Sequence, residues 1–172
     1  MKKFLLPLFF LFLFILESLF VQYIPNGLFG ANRIIAPHFL FVGLLFLTIY
    51  VGKRQGLIYS AIFGILFDIV YVEIIGIYFF LYPFIAYLAS KLMNIMQTNI
   101  LIAFLVSLFG IALLEIGVYE MDFLIHVTDL DFMSFLDLRF YPTLILNSIF
   151  IIVTGYPLKR LFEKHAESLR DE

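Results

Sequence analysis

The sequence predicts an all-α integral membrane protein, about six transmembrane helices in a compact bundle, and two observations predict it. Apolar residues make up 63% of the 172 residues and mean hydropathy is +1.06, against an apolar share of roughly 45–50% in soluble domains. A soluble chain of this length leaves much of its surface wet and has nowhere to hide so many apolar side chains; a bilayer removes the difficulty. The apolar residues also fall in long unbroken runs near the length of about 20 residues that a helix needs to cross hydrocarbon. They lack the period-two alternation of a membrane barrel, so helices are expected.

The runs give a single polytopic membrane domain over 1–172 with spans at about 4–23, 35–51, 56–72, 77–92, 100–119 and 140–161. The first begins at Phe4 behind Lys2 and Lys3 and is interrupted only by Glu17. It is long for the apolar region of a signal peptide and has no small-x-small cleavage site, so it reads as an uncleaved span. Lys53 and Arg54 separate the second run from the third. Glu73 to Gly76 is a short polar turn before the fourth, where Pro83 predicts a kink. Residues 24–34, with Pro25, Asn26, Gly27 and Gly30, read as a loop. Residues 120–138 mix Glu120, Asp122, Asp129, Asp131 and Asp137 with Phe123, Phe132 and Phe135. They fit either a short amphipathic helix on the membrane surface or a solvated acidic loop. No linker, soluble domain or internal repeat is visible.

Lysine and arginine set the orientation. With the N-terminus in the cytoplasm, the inner segments hold Lys2, Lys3, Lys53, Arg54, Lys91, Lys159, Arg160, Lys164 and Arg170, and the outer ones only Arg33 and Arg139, nine against two of the 11 basic residues. Both termini are therefore expected inside, in a bacterial cytoplasmic membrane.

Ionisable residues inside a span are costly and normally face the protein interior. Glu17, Asp68 and Glu115 each lie 12 to 15 residues into an outward-running span, so all three carboxylates reach a similar depth, roughly 18–22 Å from the inner boundary at about 1.5 Å per residue. Arg139 opens the last span near that depth, and pairing with Asp68 or Glu115 is expected. Small and polar residues recur every four positions beside them: Gly56, Ser60, Gly64 and Asp68 on the third run, and Ala103, Ser107, Ile111 and Glu115 on the fifth. Arg139, Thr143 and Asn147 follow the same spacing on the sixth. Such ridges let membrane helices approach closely, and Gly56, Ser60, Gly64, Gly76 and Ser107 are expected to serve helix packing. The cluster either locks the helices together, holds a small polar ligand, or lines a proton or ion path. His38, beside Pro37, has no acidic or histidine neighbour at ligand spacing and reads as packing; His126 and His165 stand alone.

Other chemistries lack their residues. There is no cysteine, hence no disulfide or thiolate site. No phosphate-binding glycine loop, nucleophile elbow or HExxH is present, and no basic face suits nucleic acid. Neither a cofactor nor a metal is expected, and no catalytic residue.

Over essentially its whole length the chain resembles the MreD family of the bacterial rod-shape machinery, in its bacillus-like branch. The resemblance is carried by Glu17-Ser18-Leu19-Phe20 and by Gly64-Ile65-Leu66-Phe67-Asp68 followed by Gly76-Ile77-Tyr78. Leu113-Leu114-Glu115, Arg139-Phe140-Tyr141-Pro142-Thr143 with Asn147, and the charged end Leu169-Arg170-Asp171-Glu172 complete it. It implies a non-catalytic scaffold subunit of the cell-wall elongation complex, acting on cell shape and lateral peptidoglycan synthesis. The implied partners are an MreC-like protein, a RodA-type glycosyltransferase, a class B transpeptidase and an MreB-type filament. It also implies a fold similar to the six-helix substrate-binding subunits of energy-coupling-factor transporters, which keeps open a second function: capture of a small, vitamin-type molecule for an importer.

Overall fold

The structure, a computed structural model, describes residues 5–23, 33–72, 74–96 and 99–170. Lys2 and Lys3, the loop residues Pro25, Asn26, Gly27 and Gly30, Glu73 of the short turn, and Asp171 and Glu172 lie outside the described residues. In chain order the helices are α1 (Leu5–Tyr23), α2 (Phe39–Tyr50), α3 (Lys53–Tyr71), α4 (Ile77–Ile95), α5 (Ile100–Leu124), α6 (Phe132–Phe135) and α7 (Tyr141–Arg170). A π-helical turn, Leu136–Phe140, joins α6 to α7, and no strand occurs among the described residues.

α1, α5 and the continuous run Phe132–Leu169 are each long and apolar enough to cross a bilayer. α3 and α4 have 19 residues each, roughly 28 Å of helix, close to the hydrocarbon thickness. The outer surface carries large apolar side chains such as Leu8, Phe12, Ile62, Phe80, Leu101 and Ile152, which a lipid solvent accepts and water does not. The chain is a helical integral membrane protein.

α2 sits at the centre and packs against α1, α3, α4, α5 and α7. Every residue from Phe39 to Thr48 is buried, so this helix is apolar on all sides because protein surrounds it on all sides. Its ring neighbours include Tyr82, stacked on Phe41 at 4.6 Å, and Phe150, stacked on Phe39 at 4.1 Å. α3 and α4 form a tight antiparallel hairpin.

The boundaries differ most from the hydropathy reading in four places. The second run, expected to be helical over 35–51, is helical only over Phe39–Tyr50, 12 residues; residues 33–38 are non-helical. Pro37 removes a donor and biases the residue before it away from the helix. Lys53 and Arg54 begin α3 instead of forming a loop, because the turn is completed by Gly52 at φ 136°. α5 runs five residues past the expected end and takes in Glu120 and Asp122. The last helical run starts at Phe132, not 140, and continues through the charged tail to Arg170.

Within the 120–138 segment α5 continues to Leu124 and a short helix spans Phe132–Phe135, and the stretch is tied back to α5. Tyr119 donates its hydroxyl to the Leu130 carbonyl at 2.9 Å and stacks at 4.2 Å on Phe135, which is 1% exposed. Asp131 caps α6, accepting from the Ser134 N–H at 3.1 Å. Hydrogen bonds from Ser134 hold its carboxyl below the usual aspartate range.

Candidate functional site

Asp68 and Glu17 each close the N-terminus of another helix. Asp68 Oδ2 accepts the N–H of Gly76 at 2.8 Å and of Phe79 at 2.9 Å, and Oδ1 accepts the N–H of Tyr78 at 2.9 Å. These are orphan donors of α4's first turn, which inside a membrane has no water to satisfy them. Glu17 Oε2 accepts from Leu40 N–H at 3.1 Å at the start of α2. In both cases a carboxylate lies where the helix dipole favours negative charge. Asp68 and Glu17 are buried, at 0% and 5% exposure.

Glu115 has different partners. Arg139 donates from Nε to Oε2 at 2.8 Å and from Nη2 to Oε1 at 3.5 Å, while His38 Nε2 lies 2.6 Å from Oε1. A carboxylate held by Arg139 only accepts, so the His38 hydrogen sits on Nε2. Arg139 thus pairs with Glu115 and not with Asp68, whose oxygens are taken by α4.

Asn147 and Thr143 complete the network by gripping the non-helical 33–38 segment. Asn147 Oδ1 accepts from His38 N–H at 2.8 Å, and its Nδ2 donates to the carbonyls of Ala36 at 3.0 Å and Thr143 at 2.8 Å. Thr143 Oγ1 accepts from Ala36 N–H at 3.1 Å, and the Leu138 carbonyl accepts from Ile34 N–H at 2.8 Å. Open backbone at membrane depth is tolerated where protein groups satisfy it, and here α7 and the π-turn do so.

The small residues divide into two kinds. Gly64 lets α3 meet the α4 backbone: an added Cβ would stand 2.6 Å from the Tyr78 carbonyl oxygen and 3.0 Å from Phe79 Cα. Gly56 is as close to α2, where a Cβ would stand 2.8 Å from Thr48 Cα. Ser60 and Ser107 are fully buried with no hydrogen-bond partner for Oγ among the described residues. Gly76, expected to serve helix packing, does not: a Cβ there meets nothing within 4 Å, and the residue is needed for its φ of 127°. That conformation, closed to most side chains, turns its N–H onto Asp68.

His38, read from sequence as packing, is a member of the polar cluster. Its partner Glu115 is 77 residues away, so spacing along the chain carries no trace of it. Tyr78 and Asp122 were also missed. They line a crevice of about 320 Å³ together with Phe67, Tyr71 and Arg139. A second pocket, of about 280 Å³, lies between Glu17 and Ser18 on α1 and Phe67 and Tyr71 on α3. Among the described residues no group of three or more His, Asp or Glu is placed to hold a metal ion.

Long apolar helices packed around a buried polar network, with Glu17 and Asp68 each tied to a helix end and Glu115 to a cation, define a multi-pass helical membrane protein whose polar groups knit its spans together. The chain belongs to the MreD family: the family model described as rod shape-determining protein MreD matches residues 2–165. It is 33% identical over 172 residues to the rod shape-determining protein MreD of Bacillus subtilis (strain 168), covering 100% of both chains. It is 32% identical over 140 residues to the cell shape-determining protein MreD of Streptococcus pneumoniae (strain R6), covering 81% of this chain and 82% of that one. No solved structure matches it.

Proposed function

We propose that the chain is a non-catalytic scaffold subunit of the cell-wall elongation complex, acting on cell shape and on the placement of lateral peptidoglycan synthesis. The observation that carries this reading is the state of the interior carboxylates. Glu17, Asp68 and Glu115 each accept hydrogen bonds from protein groups on another element, a structural role that ties the spans to one another. Family membership supplies the cell-shape context. The partners would be an MreC-like protein, a RodA-type glycosyltransferase, a class B transpeptidase and, directly or through these, an MreB-type filament.

In this reading residues 1–172 are one polytopic domain of six spans in the bacterial cytoplasmic membrane. Both termini are cytoplasmic, in keeping with the nine-to-two excess of basic residues on the inner side. α2 and the non-helical 33–38 segment together make the second crossing: roughly 18 Å of helix and at most about 20 Å of open chain. The fold would then be similar to that of energy-coupling-factor substrate-binding subunits.

A second reading, capture of a small vitamin-type molecule for an importer, draws on the two adjoining pockets that share Phe67 and Tyr71. Depletion of the chain in its own host separates the two. Rounding or widening of the cells, uncorrected by a vitamin supplement, is the expected outcome. Unchanged shape with lost uptake of a small molecule would move the assignment to transport.

A further inference from the structure

The crevice at the end of α3 and α5 has its polar groups on two sides. Its walls are apolar, with Phe67, Ile77 and Val118 among them, and Tyr78, Asp122 and Arg139 project into the same space. Arg139 gives Nε and one Nη2 donor to Glu115. A guanidinium carries five N–H groups, so the rest remain free of protein partners among the described residues, on a side chain that is 25% exposed. Tyr78 is 6% exposed; its backbone N–H is held by Asp68, but its hydroxyl makes no hydrogen bond among the described residues. Asp122, half-buried on the α5 side, makes no ion pair among the described residues.

The charge arrangement narrows what would fit. Among the described residues, Glu115 already balances Arg139, and Asp122 adds a second negative charge. A simple anion would meet a neutralised guanidinium and a carboxylate. A simple cation would leave the Tyr78 and Arg139 donors unmet, which is costly in a low-dielectric crevice. A group bearing both charges satisfies both sides. The volume of about 320 Å³ holds roughly ten water-sized groups at about 30 Å³ each, the bulk of an ethanolamine phosphate. The rim includes Ile74, Ile125 and Val127, which are 40%, 41% and 64% exposed, an apolar margin suited to acyl chains.

We propose that this crevice binds an amine-bearing zwitterionic headgroup, its ammonium on Asp122 and its phosphate oxygens on Arg139 and Tyr78. The source favoured by the apolar rim is a membrane lipid of the ethanolamine type. The inference goes beyond the scaffold reading and needs only that the protein be membrane-embedded, so its failure would leave that reading standing.

The test uses full-length protein reconstituted in vesicles containing equal phosphatidylethanolamine, phosphatidylglycerol and phosphatidylcholine, then gently extracted and weighed intact with its retained lipid. Preferential retention of phosphatidylethanolamine is expected. Tyr78→Phe and Asp122→Asn should each lower it roughly ten-fold, the scale of a hydrogen bond to a charged group, while eluting and melting as wild type does. Soluble ethanolamine phosphate, added to protein in phosphatidylcholine nanodiscs, should raise the melting temperature. If it does so without any lipid preference, the same site takes a free headgroup. Equal retention of all three lipids with no melting shift would overturn the proposal, as would retention unaffected by both substitutions. Should the variants fail to fold, the wild-type lipid preference and the ethanolamine phosphate shift still decide.

Discussion

Arg139 meets Glu115 through two donors, Nε at 2.8 Å and Nη2 at 3.5 Å, and so ties the π-turn ahead of α7 to the interior face of α5. Glu115 is wholly buried, and its remaining contact is His38. Removing one partner strands the other. Glu115→Gln and Arg139→Gln should each destabilise the folded protein, while the double variant should be less damaged than the sum. A double-mutant cycle on detergent-solubilised melting should give a coupling above about 1 kcal/mol. Additive losses would show that the contact contributes no coupling.

Asp68 receives three backbone N–H groups at the head of α4. Asp68→Asn removes the charge and places an amide donor among donors. The expected loss is about 3–5 kcal/mol by analogy with broken buried pairs in soluble proteins, seen as reduced accumulation and a lower melting temperature. Asp129→Asn, at an exposed position, should be neutral. Wild-type accumulation of Asp68→Asn would contradict the capping role.

Gly64 allows α3 and α4 backbones to touch, with a Cβ there only 2.6 Å from the Tyr78 carbonyl oxygen. Gly64→Ala should cost about 1–3 kcal/mol, since backbone on both sides cannot yield easily. At Gly155 the nearest atom to an added Cβ is Phe46 Cζ at 3.5 Å, so Gly155→Ala should be tolerated. Equal melting temperatures for the two variants would contradict the close approach.

The chain has no cysteine, so an introduced thiol reports one position only. Val127→Cys, at a residue 64% exposed beyond α5, should react with a membrane-impermeant maleimide in intact cells. Asn94→Cys and Glu167→Cys, both at exposed positions, should react only after lysis. The reverse pattern would invert the orientation.

Hydropathy makes the long helices legible because lipid contact needs only apolar side chains, and α1 and α5 show it directly. The four-residue spacing of Gly56, Ser60, Gly64 and Asp68 likewise identifies the buried face of α3, whose members are all buried. The cluster membership of Glu17, Asp68 and Glu115 is legible from the cost of charge in a span, but their partners are not. Backbone N–H groups have no sequence signature, so the capping of α2 and α4 is invisible until Gly76 is seen to turn its N–H back. His38 escapes for a related reason: a non-helical segment inside an apolar run looks like helix to hydropathy, and only Pro37 warns against it. The crevice depends on α5 continuing to Leu124, beyond the point where acidic residues suggest an end.

The central claim, that the interior charges build a scaffold whose work is done by binding partners, is tested most directly by mild-detergent purification of the tagged protein from its own membranes, followed by identification of what accompanies it. We expect an MreC-like protein, with RodA-type glycosyltransferase or a class B transpeptidase. A paired ATPase with a coupling membrane subunit, or a retained vitamin-sized molecule, would contradict it.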